Sequence, residues 1–192
     1  MELSEVEISR LMAALKFAAE KHRDQRRKDV GHTPYINHPI EVAEMLWKLG
    51  EVRDMDVIIA ALLHDIIEDT ETEPEEISEE FGERVLSLVL EVTDDKRLPK
   101  EVRKSLQIER APEASLGAKA IKLADKICNV RDVAASPPKG WSTERRVEYL
   151  DWTEKVVQGV RGCCASLEVH YDETLKAARV SIQRECEREG SD

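Results

Sequence analysis

The most constraining feature of this sequence is an apolar run from Val57 to Leu63 that leads directly into His64 and Asp65. Drawn as a helix, the run is apolar on nearly every side, so we predict a helix from Asp56 to Asp69 that passes through the centre of the core. A buried carboxylate without a partner is not tolerated in such a place. The acidic groups must therefore be protonated, be paired with basic groups or bind a cation, unless the end of this helix emerges into water.

Helix-forming residues dominate the rest of the chain, in which aromatic residues make up only 4% and glycines number 8. This composition favours an all-α fold over a β-sandwich. A length of 192 residues suits one domain with a substantial core. We predict a single all-α domain over residues 1–192, with about eight to ten helices packed around the buried central helix and a charged C-terminal helix from about residue 163.

Apolar periodicity and capping residues place the helices that come before the central one. The segment from about Ser4 to Arg27 carries a helical stripe that dissolves into the charged run 21–29. Pro39 suits the first position of a second helix that ends near Leu49. That position would put His38 at the mouth of the second helix.

The charge and the cysteines of the chain limit its partners and its location. A formal net charge of −11 at pH 7 argues against binding to nucleic acid or to an anionic membrane, because such surfaces require an excess of Lys and Arg. No apolar run is long enough for a membrane span or a signal peptide, so we expect a cytoplasmic protein. The cysteines lack CxxC spacing, which favours reduced thiols over disulfides or a zinc site. They are Cys128, Cys163, Cys164 and Cys186.

The charged residues at the end of the apolar run have a spacing that suits a metal site. Glu68 lies four residues after His64 and three after Asp65, so on a helix these side chains lie on adjoining faces and can converge. A mixed set of imidazole and carboxylate groups suits manganese, iron or zinc better than a structural site built on cysteine. His38 and Asp125 complete an ordered pattern of two histidines and two aspartates, although each alone would be interpreted as a helix cap or a solvated side chain.

A second cluster of charge is notable because it is basic in an acidic chain. It consists of Arg23, Arg26, Arg27 and Lys28. A phosphorylated substrate requires cationic partners, so this cluster is a candidate binding element. The alternative interpretation is the solvated, charged end of a helix.

Longer motifs surround these residues. They are His22–Asp29, Thr33–Pro39, Ala60–Asp65, Glu68–Thr70, Val92–Lys96 and Lys122–Lys126. In these motifs the sequence resembles the HD superfamily of metal-dependent phosphohydrolases, and within it the hydrolase domain of the RelA/SpoT alarmone enzymes. The Thr-Asp-Asp-Lys motif at residues 93–96 favours the small stand-alone metazoan branch of that family, which has no synthetase domain.

The resemblance implies hydrolysis of the 3′-pyrophosphate of guanosine tetra- or pentaphosphate, a small-molecule nucleotide, with GDP or GTP and pyrophosphate as products. It also implies one bound Mn²⁺, with the ligands His38, His64, Asp65 and Asp125. The catalytic acidic pair that activates water would be Glu68 and Asp69. The residues that bind the nucleotide would be Arg27, Lys28, Tyr35, Lys100, Asn129, Arg145 and Tyr149.

Other functions remain open at this point. The metal pattern does not distinguish the alarmone from NADPH, whose 2′-phosphate the metazoan branch is also expected to remove, or from another small nucleotide such as a deoxynucleoside monophosphate. An interpretation from a different class is a helical module that senses a nucleotide or binds a partner without turnover. A broken metal pattern or a lost Glu–Asp pair would indicate such a module, and both are intact in this sequence.

Overall fold

The structure, a computed structural model, describes residues 3–29 and 31–189 of the chain. The regular structure of these residues is helical, and their one extended pairing is an isolated bridge between Arg26 and Pro34. The prediction of an all-α fold is confirmed. None of the helices in the described ranges is both long enough and apolar enough to cross a membrane.

Short connections join the helices. In chain order they are α1 (Glu5–Lys21), α2 (Asn37–Lys48), α3 (Met55–Leu63), α4 (Ile66–Asp69), α5 (Pro74–Phe81), α6 (Glu83–Val92), α7 (Lys100–Arg110), α8 (Leu116–Ala135), α9 (Thr143–Val160) and α10 (Ala165–Glu189). A 3₁₀ turn, Ala111–Glu113, lies between α7 and α8. The charged C-terminal helix predicted from about residue 163 corresponds to α10.

Capping residues set the start of α1. The Ser4 hydroxyl accepts a hydrogen bond from the Glu7 amide (3.2 Å), and the Glu7 carboxylate accepts one from the Ser4 amide (2.8 Å). This reciprocal pair satisfies two amides that the first turn leaves free. The helix ends at Lys21. Beyond it the chain forms a loop, in which the Arg27 amide donates to the Thr33 carbonyl (2.9 Å), so the helical stripe predicted towards Arg27 ends early.

Helices α3 and α8 form the centre of the core. Every residue from Val57 to Leu63 is buried, because α1, α2, α6 and α8 all pack against α3. The approach of α8 depends on Gly117, since a Cβ atom built there would lie 2.9 Å from Leu88 Cδ2 and 3.0 Å from Val57 Cγ2. Any larger residue at this position would push the helices apart.

The helix predicted from Asp56 to Asp69 is not continuous. Helix α3 ends at Leu63 and α4 begins at Ile66, because Asp65 adopts φ −101° and ψ 1°, outside the α-helical region. Successive side chains of a straight helix point about 100° apart, so those of His64 and Asp65 would diverge on one. The break instead places Asp65 Oδ2 3.0 Å from His64 Nε2. The interruption therefore shapes the site that these two residues share.

The start of α2 also differs from the prediction. The helix begins at Asn37, so His38 lies within its first turn and not ahead of it. Pro39 is compatible with this position because the first turn of a helix leaves its amides without intrahelical partners. The consequence is that His38 is buried, with 3% of its surface exposed.

One buried arginine ties the C-terminal end of α8 to the last two helices. Arg146 Nε donates to the Val133 carbonyl (3.0 Å) and Nη2 donates to the Ala134 carbonyl (2.9 Å). Its Nη1 pairs with the Glu185 carboxylate at 2.5 Å. These bonds satisfy carbonyls that a helix end leaves free. Helix α8, which carries Asp125, is therefore anchored to α9 and α10.

Candidate active site

Four side chains converge at the turn between α3 and α4. His38 comes from α2 and Asp125 from α8, while His64 and Asp65 lie in the turn itself. His64 Nε2 is 3.0 Å from Asp65 Oδ2 and 3.8 Å from Asp125 Oδ1. His38 Nε2 is 3.1 Å from Asp125 Oδ1 and 4.0 Å from Asp65 Oδ2. The structure thus brings together the predicted pattern of two histidines and two aspartates, which we call the metal group.

The spacing of the metal group suits a divalent cation. Ligand atoms that each lie about 2.1 Å from one ion are about 3 to 4 Å apart. The ligand atoms offered by His38, His64 and Asp65 all lie within 4.8 Å of one another. His64 Nδ1 donates to the Ala61 carbonyl (2.8 Å), so Nε2 is the ring nitrogen that faces the group, where a bound cation would take the place of its proton. That Nε2 is buried and has no hydrogen-bond partner among the described residues, as expected of a nitrogen that binds a metal.

The electrostatics of the metal group also favour a cation. Burial lowers the pKa of His64, but Asp65 and Asp125 outweigh burial and raise that pKa to about 9. Burial raises the pKa of Asp65, but His64 and His38 outweigh it, so the pKa falls below its ordinary value. Burial likewise opposes ionisation of Asp125, and Lys126 with the two histidines lowers its pKa well below the ordinary value. Two ionised carboxylates therefore face one point, where positive charge stabilises both.

Two donors orient the Asp125 carboxylate, and His38 lies beside it. Lys126 Nζ donates to Oδ2 at 2.8 Å, and Asn129 Nδ2 donates to Oδ1 at 2.6 Å. His38 Nε2 lies 3.1 Å from the same Oδ1. Asn129, predicted to bind the nucleotide, therefore also contacts one of the predicted metal ligands.

Glu68 lies in α4, in the same cavity as the metal group. Its Oε2 accepts a hydrogen bond from the Asp94 amide (3.2 Å), and its Oε1 lies 3.4 Å from Arg103 Nη1. Burial, and next the charge of Asp65, raise the pKa of Glu68 to about 7. A carboxylate with a pKa near neutrality can accept and release a proton in the physiological pH range.

Asp69 is held more firmly than Glu68. Its Oδ2 accepts a hydrogen bond from Gln25 Nε2 (2.7 Å), and its Oδ1 pairs with Lys96. Gln25 Oε1 in turn accepts a hydrogen bond from His22 Nδ1 (2.6 Å). Because both oxygens of Asp69 already have donors, this carboxylate is better suited to orient a ligand than to remove a proton.

Tyr35 and Arg27 extend the site away from the metal group. The Tyr35 hydroxyl donates to Asp65 Oδ2 at 2.5 Å, and burial raises the pKa of Tyr35 far above its ordinary value, so the phenol stays protonated. The Arg27 guanidinium lies 5.8 Å from the centroid of the Tyr35 ring. Its Nη2 pairs with Asp132 Oδ2 at 2.5 Å. Asp132, which was not identified from the sequence, therefore fixes the orientation of Arg27.

A cavity of about 770 Å³ contains the metal group. Every metal-binding, catalytic and nucleotide-binding residue predicted from the sequence lines it. A second cavity, of about 740 Å³, adjoins the first and shares eight lining residues with it, which are Arg27, Lys28, Tyr35, His38, Asp69, Asn129, Trp141 and Tyr149. The two spaces together have room for an extended ligand that reaches beyond the metal group.

The first cavity also contains cationic and aromatic side chains that were not identified from the sequence as site residues. They are Arg103, Lys104, Lys122, Lys126, Trp141 and Trp152. Lys104 Nζ and Lys126 Nζ lie 5.3 and 4.9 Å from the centroid of the Trp152 ring, whose face attracts cations. The motif Lys122–Lys126 contained a signal for two of them, because on a helix its two lysines flank Asp125. The cavity is therefore lined by eight Lys or Arg side chains and eight Asp or Glu side chains, although the chain as a whole is acidic.

A helical fold that holds two histidines and two aspartates in this way defines the class of HD domains. The model of the HD-domain family matches residues 14–150. The matched range includes the whole metal group together with Glu68 and Asp69.

Individual relatives are similar over nearly the full chain. The human protein named guanosine-3′,5′-bis(diphosphate) 3′-pyrophosphohydrolase MESH1 is 52% identical over 176 residues, which span 92% of this chain and 98% of that protein. The MESH1 protein of Drosophila melanogaster is 49% identical over 168 residues, 88% of this chain and 94% of its own. A solved structure, described as a metazoan ortholog of SpoT that hydrolyzes ppGpp, superimposes with a TM-score of 0.87 and 47% identity, over 92% of this chain and 97% of that one. The chain therefore belongs to the HD-domain family and, within it, to the MESH1 group, which confirms the resemblance found in the sequence.

Proposed function

We propose that this chain is a metal-dependent hydrolase of guanosine 3′,5′-bis(diphosphate) and of the corresponding pentaphosphate, with GDP or GTP and pyrophosphate as products. The observation that carries the proposal is the convergence of the metal group in one cavity with Glu68 and eight Lys or Arg side chains. The MESH1 relatives are named for this reaction, and the similar solved structure is described as hydrolysing ppGpp. An identity of 52% over 92% of the chain supports the same activity here.

We assign one divalent cation to His38, His64, Asp65 and Asp125, and we propose that it is Mn²⁺. The donor set of imidazole nitrogens and carboxylate oxygens suits manganese, iron and zinc, and the resemblance to the alarmone hydrolases favours manganese among them. When bound, such a cation polarises a phosphoryl oxygen and makes water more acidic.

Two side chains of α4 are proposed to orient and deprotonate the attacking water. Glu68, whose pKa lies near 7, takes the proton from the water as it attacks. Asp69, which Gln25 and Lys96 hold in place, orients the same water. Tyr35 donates a hydrogen bond to Asp65 and so fixes one of the proposed metal ligands.

The proposed reaction is a displacement at phosphorus. The water oxygen forms a bond to the phosphorus atom next to the 3′ oxygen of the ribose. The bond between that phosphorus and the 3′ oxygen breaks, so the nucleotide is the leaving group and pyrophosphate carries the water oxygen. The 3′ oxygen gains the proton that Glu68 took from the water and becomes the hydroxyl of GDP or GTP, so that one water molecule accounts for both products.

We propose that the remaining predicted residues bind the nucleotide. The cationic ones suit its phosphates, and the aromatic and amide side chains suit its nucleoside. The cationic residues are Arg27, Lys28, Lys100 and Arg145, and the others are Tyr35, Asn129 and Tyr149. We further propose a cytoplasmic location, since the four cysteines are unpaired and the cytosol keeps thiols reduced.

Turnover measured in parallel on several substrates tests the proposed function. The Mn²⁺-loaded chain should show its highest kcat/KM with guanosine tetraphosphate, compared with NADPH and a deoxynucleoside monophosphate. A chelated sample should lose turnover but keep its helical circular dichroism, because the apolar faces of α3 and α8 form the core without the metal. A higher kcat/KM with NADPH or the deoxynucleotide would replace the proposed substrate. A fully metal-loaded chain that turns over none of them would indicate a non-catalytic nucleotide-sensing module.

Replacing Arg27 and Lys28 together by alanine is expected to raise KM about 10- to 100-fold, the usual effect of lost hydrogen bonds to a charged group. Metal content should stay unchanged, because these side chains border the cavity without joining the metal group. Arg23→Ala is the matched control, since Arg23 belongs to the same basic run but has 77% of its side chain exposed and lies outside the cavity. An unchanged kcat/KM of the double variant for every nucleotide would show that the run is only a solvated segment.

A further inference from the structure

Lys122 is a buried cation beside the metal group that the proposed mechanism leaves without a role. It lies in α8, three residues before Asp125, and only 7% of its surface is exposed. Its side chain lines the cavity that contains the metal group. It makes no hydrogen bond and no ion pair with the described residues. Its Nζ has no partner but is not fully enclosed, so the ammonium group faces the open cavity and is available to an anion that enters it.

Lys126, the next lysine on α8, differs from Lys122 because its ammonium group has partners within the protein. Lys126 Nζ donates to Asp125 Oδ2 at 2.8 Å and lies 4.9 Å from the centroid of the Trp152 ring. The charge of Lys126 is therefore already compensated by contacts within the protein. Lys122 has acidic neighbours in Glu68, Asp94 and Asp125, but none of them contacts its Nζ as an ion pair.

The wall around Lys122 also has polar atoms without partners. Arg103 Nε and Gln107 Oε1 are buried and have no hydrogen-bond partner among the described residues. Both residues, with Lys122, separate the large cavity from a smaller one of about 220 Å³. Burial, followed by the charge of Lys126, lowers the pKa of Lys122 to about 8, which leaves most of its amine protonated at neutral pH.

We propose that Lys122 binds the phosphoryl oxygens of the diphosphate group that reacts, on the wall formed with Arg103. The diphosphate must approach a site that contains several carboxylates, so it requires a cation that is not already paired with one of them. Lys122 meets this requirement through its position, its burial and its lack of contacts. The identity of the ligand as a nucleotide diphosphate rests on the proposed function, but the charge argument applies to any polyphosphate.

Binding of inorganic pyrophosphate tests this proposal without turnover. Calorimetry on the Mn²⁺-loaded chain should show that Lys122→Met weakens pyrophosphate binding about 10- to 100-fold, as expected for the loss of a hydrogen bond to a charged group. Lys122→Arg should retain most of the affinity, because it keeps the positive charge. Lys119→Met is the matched control, since Lys119 lies on the same helix but outside the cavity, and its affinity should equal that of the wild type.

Metal content and melting temperature are measured on the same samples. If Lys122→Met does not fold, Lys122→Gln replaces it as the neutral variant. The pyrophosphate affinity of Lys122→Gln is then compared with that of Lys122→Arg to test the proposal. Unchanged pyrophosphate affinity in the neutral variant, a loss of metal in proportion to the loss of affinity, or no pyrophosphate binding by the wild type would each overturn the proposal.

The outcome is separable from that of the proposed function. If the wild type does not hydrolyse guanosine tetraphosphate but binds pyrophosphate through Lys122, the proposed function fails and this inference stands. If the wild type hydrolyses the alarmone and the neutral variant binds pyrophosphate normally, this inference fails alone.

Discussion

Replacing Glu68 by alanine is expected to lower kcat by about 10²–10⁴-fold, the usual contribution of a positioned general acid or base. Glu68 accepts a hydrogen bond from the Asp94 amide and lies 3.4 Å from Arg103, so its contacts are with the cavity wall. The four side chains proposed to hold the metal are contributed by other residues. Metal content should therefore remain that of the wild type, and kcat measured on metal-analysed samples checks both expectations.

Asp69 provides the second half of this test. If Glu68 removes the proton and Asp69 orients the same water, the double variant with alanine at both positions should lose less activity than the product of the two single losses. Glu71→Ala is the control, because Glu71 is exposed, lies just beyond α4 and does not line the cavity. Wild-type turnover of Glu68→Ala would make Glu68 a bystander, and metal loss in proportion to activity loss would make it a ligand.

The same variant should change the pH dependence of kcat. A general base must be ionised, so kcat is expected to fall as the pH drops through the pKa of Glu68. Burial and Asp65 raise that pKa to about 7, and a bound cation would lower it, which places the acid limb at or below that pH. If the residual kcat of Glu68→Ala falls at low pH with the same midpoint as that of the wild type, the titrating group is a residue other than Glu68.

The second large effect is expected at Asp125. Replacing it by asparagine should weaken metal binding by about 10- to 100-fold or more, since even the outer partners of a metal site contribute that much. An amide oxygen is a neutral and weaker ligand than a carboxylate. The amide oxygen can still accept the hydrogen bond from Asn129 Nδ2, which now reaches Oδ1 at 2.6 Å, so the fold should persist.

Metal affinity, measured by competition with a chelator, and turnover should fall together in this variant. Asp151→Asn serves as the control, because Asp151 lies on α9 and pairs with Arg179 at 2.8 Å, away from the cavity. Full metal occupancy with normal turnover in Asp125→Asn would remove Asp125 from the metal site.

Much of the architecture could be predicted from local sequence. Apolar periodicity predicted the helices and the buried segment from Val57 to Leu63, because that segment is apolar whichever way it turns. A capping residue predicted the start of α1 well, because the Ser4 hydroxyl accepts a hydrogen bond from the Glu7 amide at 3.2 Å. Apolar periodicity and helix caps lie within a few residues of the helices that they predict, so a single sequence displays them.

The errors occurred where the site overrides local preference. Helical periodicity continues through His64 and Asp65, but the chain breaks there so that both side chains face one point. The first helical segment was also predicted to reach about Arg27, but hydrogen bonds across a loop hold residues 22–29 and 33–35 instead. Local propensity is weak compared with such tertiary contacts, and a single sequence does not display them.

The contacts that orient the site were beyond prediction for a related reason. Arg27 and Asp132 pair across 105 positions of sequence, and Gln25 reaches Asp69 across 44. The lack of a partner for Lys122 is likewise a property of the folded chain, because it depends on where the carboxylates of α4 and of the α6–α7 connection lie.

The central claim is that water attacks the phosphorus next to the 3′ oxygen of guanosine tetraphosphate at the metal group. Turnover of this substrate by the Mn²⁺-loaded chain in ¹⁸O-labelled water, followed by mass spectrometry of the products, tests it most directly. The proposed reaction predicts unlabelled GDP and pyrophosphate that carries one ¹⁸O atom. Label in GDP, or release of single phosphates in place of pyrophosphate, would contradict it.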